Sequence, residues 1–387
     1  MTEKTATPMA NRKRRKCEDE KWRLCGWRSL EKRKGISREM DRDFLFEILS
    51  TASVSGTELE LERKIYRRMQ PYADCVTGDE VGDVTAVINP GSPIRVLLAG
   101  HADEIGLMVT SIREDGMLSV CKIGGIYPAV YPGHKVRVLT GRGIVYGAVV
   151  ITRELMKNRE MEAADLIIDI GCATKEETAR VISVGDRIIF DTDYREMLND
   201  CITGRALDDR LGVFVIMEAL RQARQRGCTV GVYAAATVGE ETSMNGAYFV
   251  SQRVKPTLAI AVDVTYVSDY QGTNPAHTGE VKLGGGPVLC VNPTHHPVIQ
   301  EALVKAAETC KIAIQWETAS GRTGTDGDVI HKTGGGVPVA LVSIPLRYMH
   351  SPAEVACLRD VQDCIELLSE FLCSLKEPFS LNPFENQ

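Results

Sequence analysis

Residues 95–104 read RVLLAGHADE. Val96 to Gly100 are apolar or glycine at every position, and the run then breaks into His101, Asp103 and Glu104. An unbroken apolar run fits a strand buried on both faces, as in a parallel sheet covered by helices. DVTAVI (83–88), GVYAAAT (231–237), LAIAVDV (258–264) and PVALVSI (338–344) have the same character. Helical stretches fall between and around these runs, at 57–70, 208–225, 297–310 and 356–374, and Thr57-x-x-Glu60 reads as a capping box for the first of them. The succession predicts an α/β sandwich with a mostly parallel sheet and helices on both faces.

From about 106 to 199 the pattern changes. KVRVLT (135–140), GIVYGAVV (143–150), DLIIDI (165–170) and DRIIF (186–190) are short, with turns at EDG, YPG and GRG and little helical periodicity. This predicts a small β-rich domain, 106–199, inserted into an α/β domain made of 40–105 and 200–387. The first amphipathic pattern opens at Met40, so residues 1–39 read as a basic, disordered leader. Residues 1–40 carry a net +7, which leaves −13 on the other 347 residues of a chain whose net charge is −6. NRKRRK (11–16) taken alone suggests nucleic-acid binding or nuclear import. The acidic body argues against a nucleic-acid partner, because it repels phosphate backbones.

Twelve cysteines are scattered without a C-x-x-C pair, several of them in apolar runs. That placement suits buried free thiols in a reducing compartment. No apolar run is long enough for a membrane span, and the first residues lack a secretory h-region. A cytoplasmic protein with no membrane partner is expected.

Groups able to bind metal stand where five of these segments end or begin. They are His101-Ala-Asp103-Glu104, Asp208-Asp209-Arg210 at a helix start, Glu240-Glu241 after GVYAAATVG, Asp263 in LAIAVDV, and His350 in RYMHSP. In open α/β sheets, ligands bind beyond the carboxyl ends of the strands, so the five segments should converge there. Adjacent glutamates after a buried strand repel unless something cationic neutralises them. Two divalent metals would do so, and mixed histidine and carboxylate donors suit zinc, cobalt or manganese. The residues themselves leave open whether Asp208 or Asp209 takes part. His134, His277, His295, His296 and His331 lie in turns, at a helix start or in polar surroundings and are expected outside the cluster, with His295 and His296 exposed.

Taken in order, HADEIGLM, GRALDDRLG, VGEE, AVDVT, GTDGD and RYMHSP resemble the motifs of the tetrahedral, dodecameric metallo-aminopeptidases. That family includes glutamyl and deblocking aminopeptidases and cellulase M-like proteins, and the resemblance covers roughly residues 40–378. It implies a zinc-exopeptidase-like sandwich with an inserted barrel-like domain used in subunit assembly. It also implies that Asp208 bridges two metals, with His101 and Asp263 completing one site and Glu241 and His350 the other. Glu240 would be the general base, and Asp103 would orient His101. Short peptides would be the substrates and a homo-oligomer, as large as a dodecamer, the working form. The chain departs from the family at Thr242–Ala247 and in GTDGD, which bears on the pocket wall and substrate preference. Rival readings are a metal-dependent deacylase of small acylated compounds, an endoglucanase-type glycoside hydrolase, which needs two free carboxyl groups, and a non-catalytic assembly protein.

Overall fold

The computed structural model describes residues 40–382 and Phe384; the basic leader expected at 1–39 lies outside them. In chain order the strands begin with β1 (Cys75–Gly78), β2 (Val84–Ile88) and β3 (Arg95–His101). Six barrel strands follow, β4 (Gly106–Ile112), β5 (Leu118–Ile123), β6 (Lys135–Thr140), β7 (Gly143–Val149), β8 (Ile167–Asp169) and β9 (Arg187–Phe190). The chain then forms β10 (Arg195–Glu196), β11 (Cys201–Gly204), β12 (Gly231–Thr237) and β13 (Leu258–Tyr266). Last come β14 (Val288–Val291), β15 (Gln315–Thr318), β16 (Val339–Arg347) and β17 (Glu354–Cys357).

The main sheet runs β1-β2-β12-β3-β13-β16-β17-β11-β10, with β14 beside β16 and β15 beyond it. Its centre, β12-β3-β13-β16, is parallel, and the flanking pairs of the main path are antiparallel. Alternate residues of the central strands serve different cores. Val96, Leu98, Ile260, Val262 and Val342 pack with Leu211–Leu220 and Val361–Leu372, from helices 207–225 and 358–374. Leu97, Ala99, Ala259 and Val339 pack with Ala247, Val250 and Val254 of helix 245–254 on the other face. Hence these strands stay free of charged and strongly polar residues up to Gly100, Ala236, Val262 and Val342 once past Arg95. Each fully buried Leu, Ile or Val contributes about 1.5–3 kcal/mol relative to exposure, so the strand ends project from the best-anchored part of the fold.

The antiparallel barrel closes in the order β4-β5-β8-β7-β6-β9, with β9 returning to β4. Here only one face is apolar: Val136 and Val138 of β6 are buried while Lys135 is exposed. The chain enters the barrel at Gly106, five residues after His101, so barrel connections lie close to the end of β3.

Local differences from expectation have local causes. The Thr57–Glu60 capping box does not form. The Thr57 hydroxyl donates back to the carbonyl of Val54 at 2.7 Å, Glu60 is exposed, and the helix starts from Glu58 as Leu59–Met69. Helix 358–374 begins late because Glu354–Cys357 pair with β11 and β16 as β17. No helix among the described residues is long and apolar enough to cross a membrane.

Candidate active site

Because β12, β3, β13 and β16 are parallel, their carboxyl ends open on one edge. His101 ends β3 and pairs with Thr237, the last residue of β12; Glu240 and Glu241 follow three and four residues on. Asp263 lies on β13 opposite Ser343 of β16, and His350 follows β16 at a positive φ of 64°. The start of helix 207–225 is drawn against β3 by two glycines. A Cβ on Gly100 would sit 3.0 Å from the backbone of Gly212, and one on Gly212 would collide with the Asp209 carboxylate. That approach lets Asp209 accept from the amides of His101 (3.3 Å) and Gly212 (3.0 Å). Asp208 is left to face the strand ends.

All seven residues singled out in the sequence lie together. The Asp208 carboxylate spans two histidines, Oδ1 lying 3.1 Å from His101 Nε2 and Oδ2 3.2 Å from His350 Nε2. Asp263 Oδ1 is 4.0 Å from His101 Nε2, and Glu241 Oε1 is 3.4 Å from His350 Nε2. Donor atoms of His101, Asp208 and Asp263 lie within 4.8 Å of one another, as do those of Asp208, Glu241 and His350. Glu240 Oε2 stands 3.9 Å from His101 Nε2, and its Oε1 has no hydrogen-bond partner among the described residues. Asp103 sits behind His101, whose Nδ1 faces the Asp103 carbonyl at 3.1 Å and its carboxylate at 3.4 Å.

The proton positions test whether this cluster suits a metal. Nδ1 of His350 meets the carbonyl of Gly125 at 2.7 Å, and Nδ1 of His101 meets only oxygens that accept. Both Nδ1 atoms therefore carry hydrogen, and both Nε2 atoms point at carboxylates. A neutral imidazole would aim a lone pair at them, which is repulsive unless a cation lies between. Without a cation the site must take up protons. Burial disfavours charge on His350, but hydrogen bonds to Asp208 and Glu241 outweigh it and push its pKa up to about 12. Burial, opposed by His101 and reinforced by Asp263, raises Glu240 to about 10, and burial also lifts Asp263 well above the usual carboxylate range. Four carboxylates, those of Asp208, Glu240, Glu241 and Asp263, outnumber the two imidazoles even if both are charged. Two divalent cations would let all of them ionise. The donor set fits such ions.

Residues that the motif reading passed over hold this arrangement. Glu354 accepts from the amides of His350 (2.8 Å) and Leu207 (2.7 Å), tying two donor-bearing segments together. Its only trace in the sequence is an acid four residues beyond His350, and its burial appears only in the fold. Ser55 donates to the Asp103 carboxylate at 2.6 Å, from a turn with no sequence signature. At the mouth, Tyr127 from the barrel lies beside His350, ring centroids 6.2 Å apart, and its hydroxyl meets that of Tyr266 at 3.3 Å. His134, His295, His296 and His331 belong to neither donor group. His295 is buried, not exposed, because it bridges to Val339 and its Nδ1 is satisfied by the Cys290 carbonyl at 2.9 Å.

A family model for M42 glutamyl aminopeptidases matches residues 82–367. The chain belongs to that family. This M42 peptidase is 32% identical over 360 residues to the lysyl aminopeptidase of Pyrococcus furiosus, covering 89% of this chain and 100% of that protein. It superposes with a TM-score of 0.82 and 32% identity on the TET aminopeptidase of the marine sediment archaeon Thaumarchaeota archaeon SCGC AB-539-E09, covering 87% and 96% of the two chains. The Pyrococcus horikoshii TET1 peptidase, which can assemble into a tetrahedron or a large octahedral shell, matches with a TM-score of 0.77 at 28% identity, covering 86% and 99%. The M42 peptidase is thus a hydrolase with aminopeptidase activity, metal-dependent like its family, and the motif resemblance pointed to the same family.

Proposed function

We propose that this M42 peptidase removes N-terminal residues from short peptides with two divalent ions, zinc by preference or else cobalt or manganese. His101, Asp208 and Asp263 would hold one ion, and Asp208, Glu241 and His350 the other. The observation that carries this reading is that the two oxygens of Asp208 face different histidines, each accompanied by one further carboxylate. When bound, the ions would polarise the scissile carbonyl and acidify a water between them.

The protein's own groups supply the proton transfer. Glu240 belongs to neither donor group, yet its carboxylate faces the same space. Burial strengthens it as a base. It would take the water's proton and return it to the leaving amine. Asp103 would be a positioning residue. Its carboxylate accepts from the amides of Glu240 (3.0 Å) and Glu241 (3.2 Å) while facing His101, so one side chain sets both the turn and the imidazole.

The inserted domain, 106–199, would build a homo-oligomer. The assembly of the TET1 peptidase supports this, as do Ile144 and Tyr146, which are half or more exposed on barrel strand β7. Enclosure in such a particle would favour short peptides over folded proteins. The described cysteines are all free, which suits the reducing cytoplasm. The test is a panel of aminoacyl-anilides and N-acyl counterparts, assayed on metal-stripped protein resupplied with zinc, cobalt or manganese. Cleavage restricted to free-amine substrates and restored by metal is expected. Turnover of the N-acyl compounds alone would point to the deacylase instead.

A further inference from the structure

Away from the metal donors, β11 and β17 form a four-residue antiparallel ladder in which Cys201 lies directly opposite Cys357. The amide of Leu358 donates to the carbonyl of Asp200 at 2.8 Å. A bond from the residue after Cys357 to the residue before Cys201 marks the two cysteines as a non-hydrogen-bonded pair. In such pairs the side chains share one face and the Cα atoms stand about 4.5 Å apart. That separation lies inside the range of about 4.4–6.8 Å that a disulfide spans. Both residues are free thiols, Cys357 buried and Cys201 half-buried. No other two described cysteines are partners in a strand register.

We propose that Cys201 and Cys357 are a redox modification site that closes to an intrachain disulfide when a peroxide reaches it. The peroxide oxidises the more accessible Cys201 to a sulfenic acid and releases one water. The Cys357 sulfur then attacks that sulfur, the S–S bond forms, and the hydroxyl leaves as a second water. The two thiols give up two electrons and the peroxide takes both. Burial raises both thiols above their ordinary range, which keeps them protonated and slow to react at neutral pH.

The bond would staple the strands that deliver the metal donors. Gly204 of β11 pairs with Glu354 of β17, and Glu354 holds the amides of Leu207 and His350. The staple also joins residues far apart in sequence, which constrains the unfolded chain strongly.

The test uses the full-length protein treated with hydrogen peroxide at mildly alkaline pH, followed by non-reducing peptide mapping and thermal melting. A cross-linked peptide joining residues 201 and 357, lighter by two hydrogens, should appear together with a rise of several degrees in the thermal midpoint. Dithiothreitol should reverse both. Cys201→Ser should abolish both while leaving the turnover of the reduced enzyme unchanged, and Cys357→Ala serves the same purpose if the serine variant folds poorly. A cross-link joining any other two cysteines instead, no cross-link, or a 201–357 link without a higher midpoint would each overturn the proposal.

Discussion

Replacing Glu104 by glutamine removes one negative charge from a place where two guanidinium groups depend on it. Glu104 Oε1 accepts from the Ser53 amide at 2.9 Å and from Arg210, while Oε2 accepts from Arg205. All three side chains are nearly inaccessible, at 3%, 4% and 0% exposure for Glu104, Arg205 and Arg210. Arg210 has further acceptors in the Leu49 carbonyl and Ser53 hydroxyl, but Nε and Nη2 of Arg205 have no partner among the described residues. Breaking a buried pair by removing one partner costs about 3–5 kcal/mol. The amide oxygen of glutamine keeps one acceptor, so we expect the lower end, about 3 kcal/mol. That is a large share of the ~5–15 kcal/mol that holds a typical domain folded. Urea unfolding followed by far-UV circular dichroism at neutral pH reads it as a lower midpoint with an unchanged slope. Glu114→Gln is the control, since its pair with Lys175 is 84% exposed on the glutamate side and, being screened by solvent, should contribute little to stability. The pH dependence adds a sign. Burial would raise Glu104, but Arg205 and Arg210 outweigh it and hold the folded value below the ordinary 4.5. The stabilisation is therefore complete above about pH 4.5 and is lost as pH falls through the folded value, where wild type and variant should converge. A loss at neutral pH no larger than that of Glu114→Gln would refute the argument.

Three further outcomes are expected. Gly125→Ala places a Cβ 2.9 Å from Cε1 of His350; displacing that ring should lower kcat by about 10-fold to 10²-fold with little change in circular dichroism, and full activity would show that the barrel does not position His350. Chelation should lower the thermal midpoint and zinc, cobalt or manganese should restore it, because the stripped cluster must bury like charges or take up protons; a midpoint indifferent to chelator and metal would count against the donor set. Ile144→Asp with Tyr146→Asp should shrink the particle seen by light scattering, and an unchanged mass would move the assembly surface off β7.

The sheet was legible because of the way it is buried. In β3, neighbours Leu97 and Leu98 face different cores, and only an unbroken apolar run satisfies both. The sudden change at His101 then marks a strand end, and parallel packing gathers such ends without further information. What stayed hidden depends on contacts between distant segments. β17 is four residues continuous in character with the helix after it, and it is a strand only because β11 and β16 flank it. Asp208 and Asp209 are equivalent as letters. Gly100 and Gly212 separate them by drawing one aspartate onto backbone amides and leaving the other free. His295 reads as a surface residue before a proline, yet a bridge to Val339 buries it.

The central claim, that two ions are held by five side chains while Glu240 moves the proton, is tested most directly by measuring metal per chain alongside kcat in Glu240→Gln. The amide keeps the shape of the side chain but cannot accept the water's proton. Metal content should stay close to two ions per chain while kcat falls by about 10²–10⁴-fold, whereas Glu241→Ala should lose metal. Retained turnover in Glu240→Gln would contradict the account, and so would loss of its metal while Glu241→Ala kept both ions.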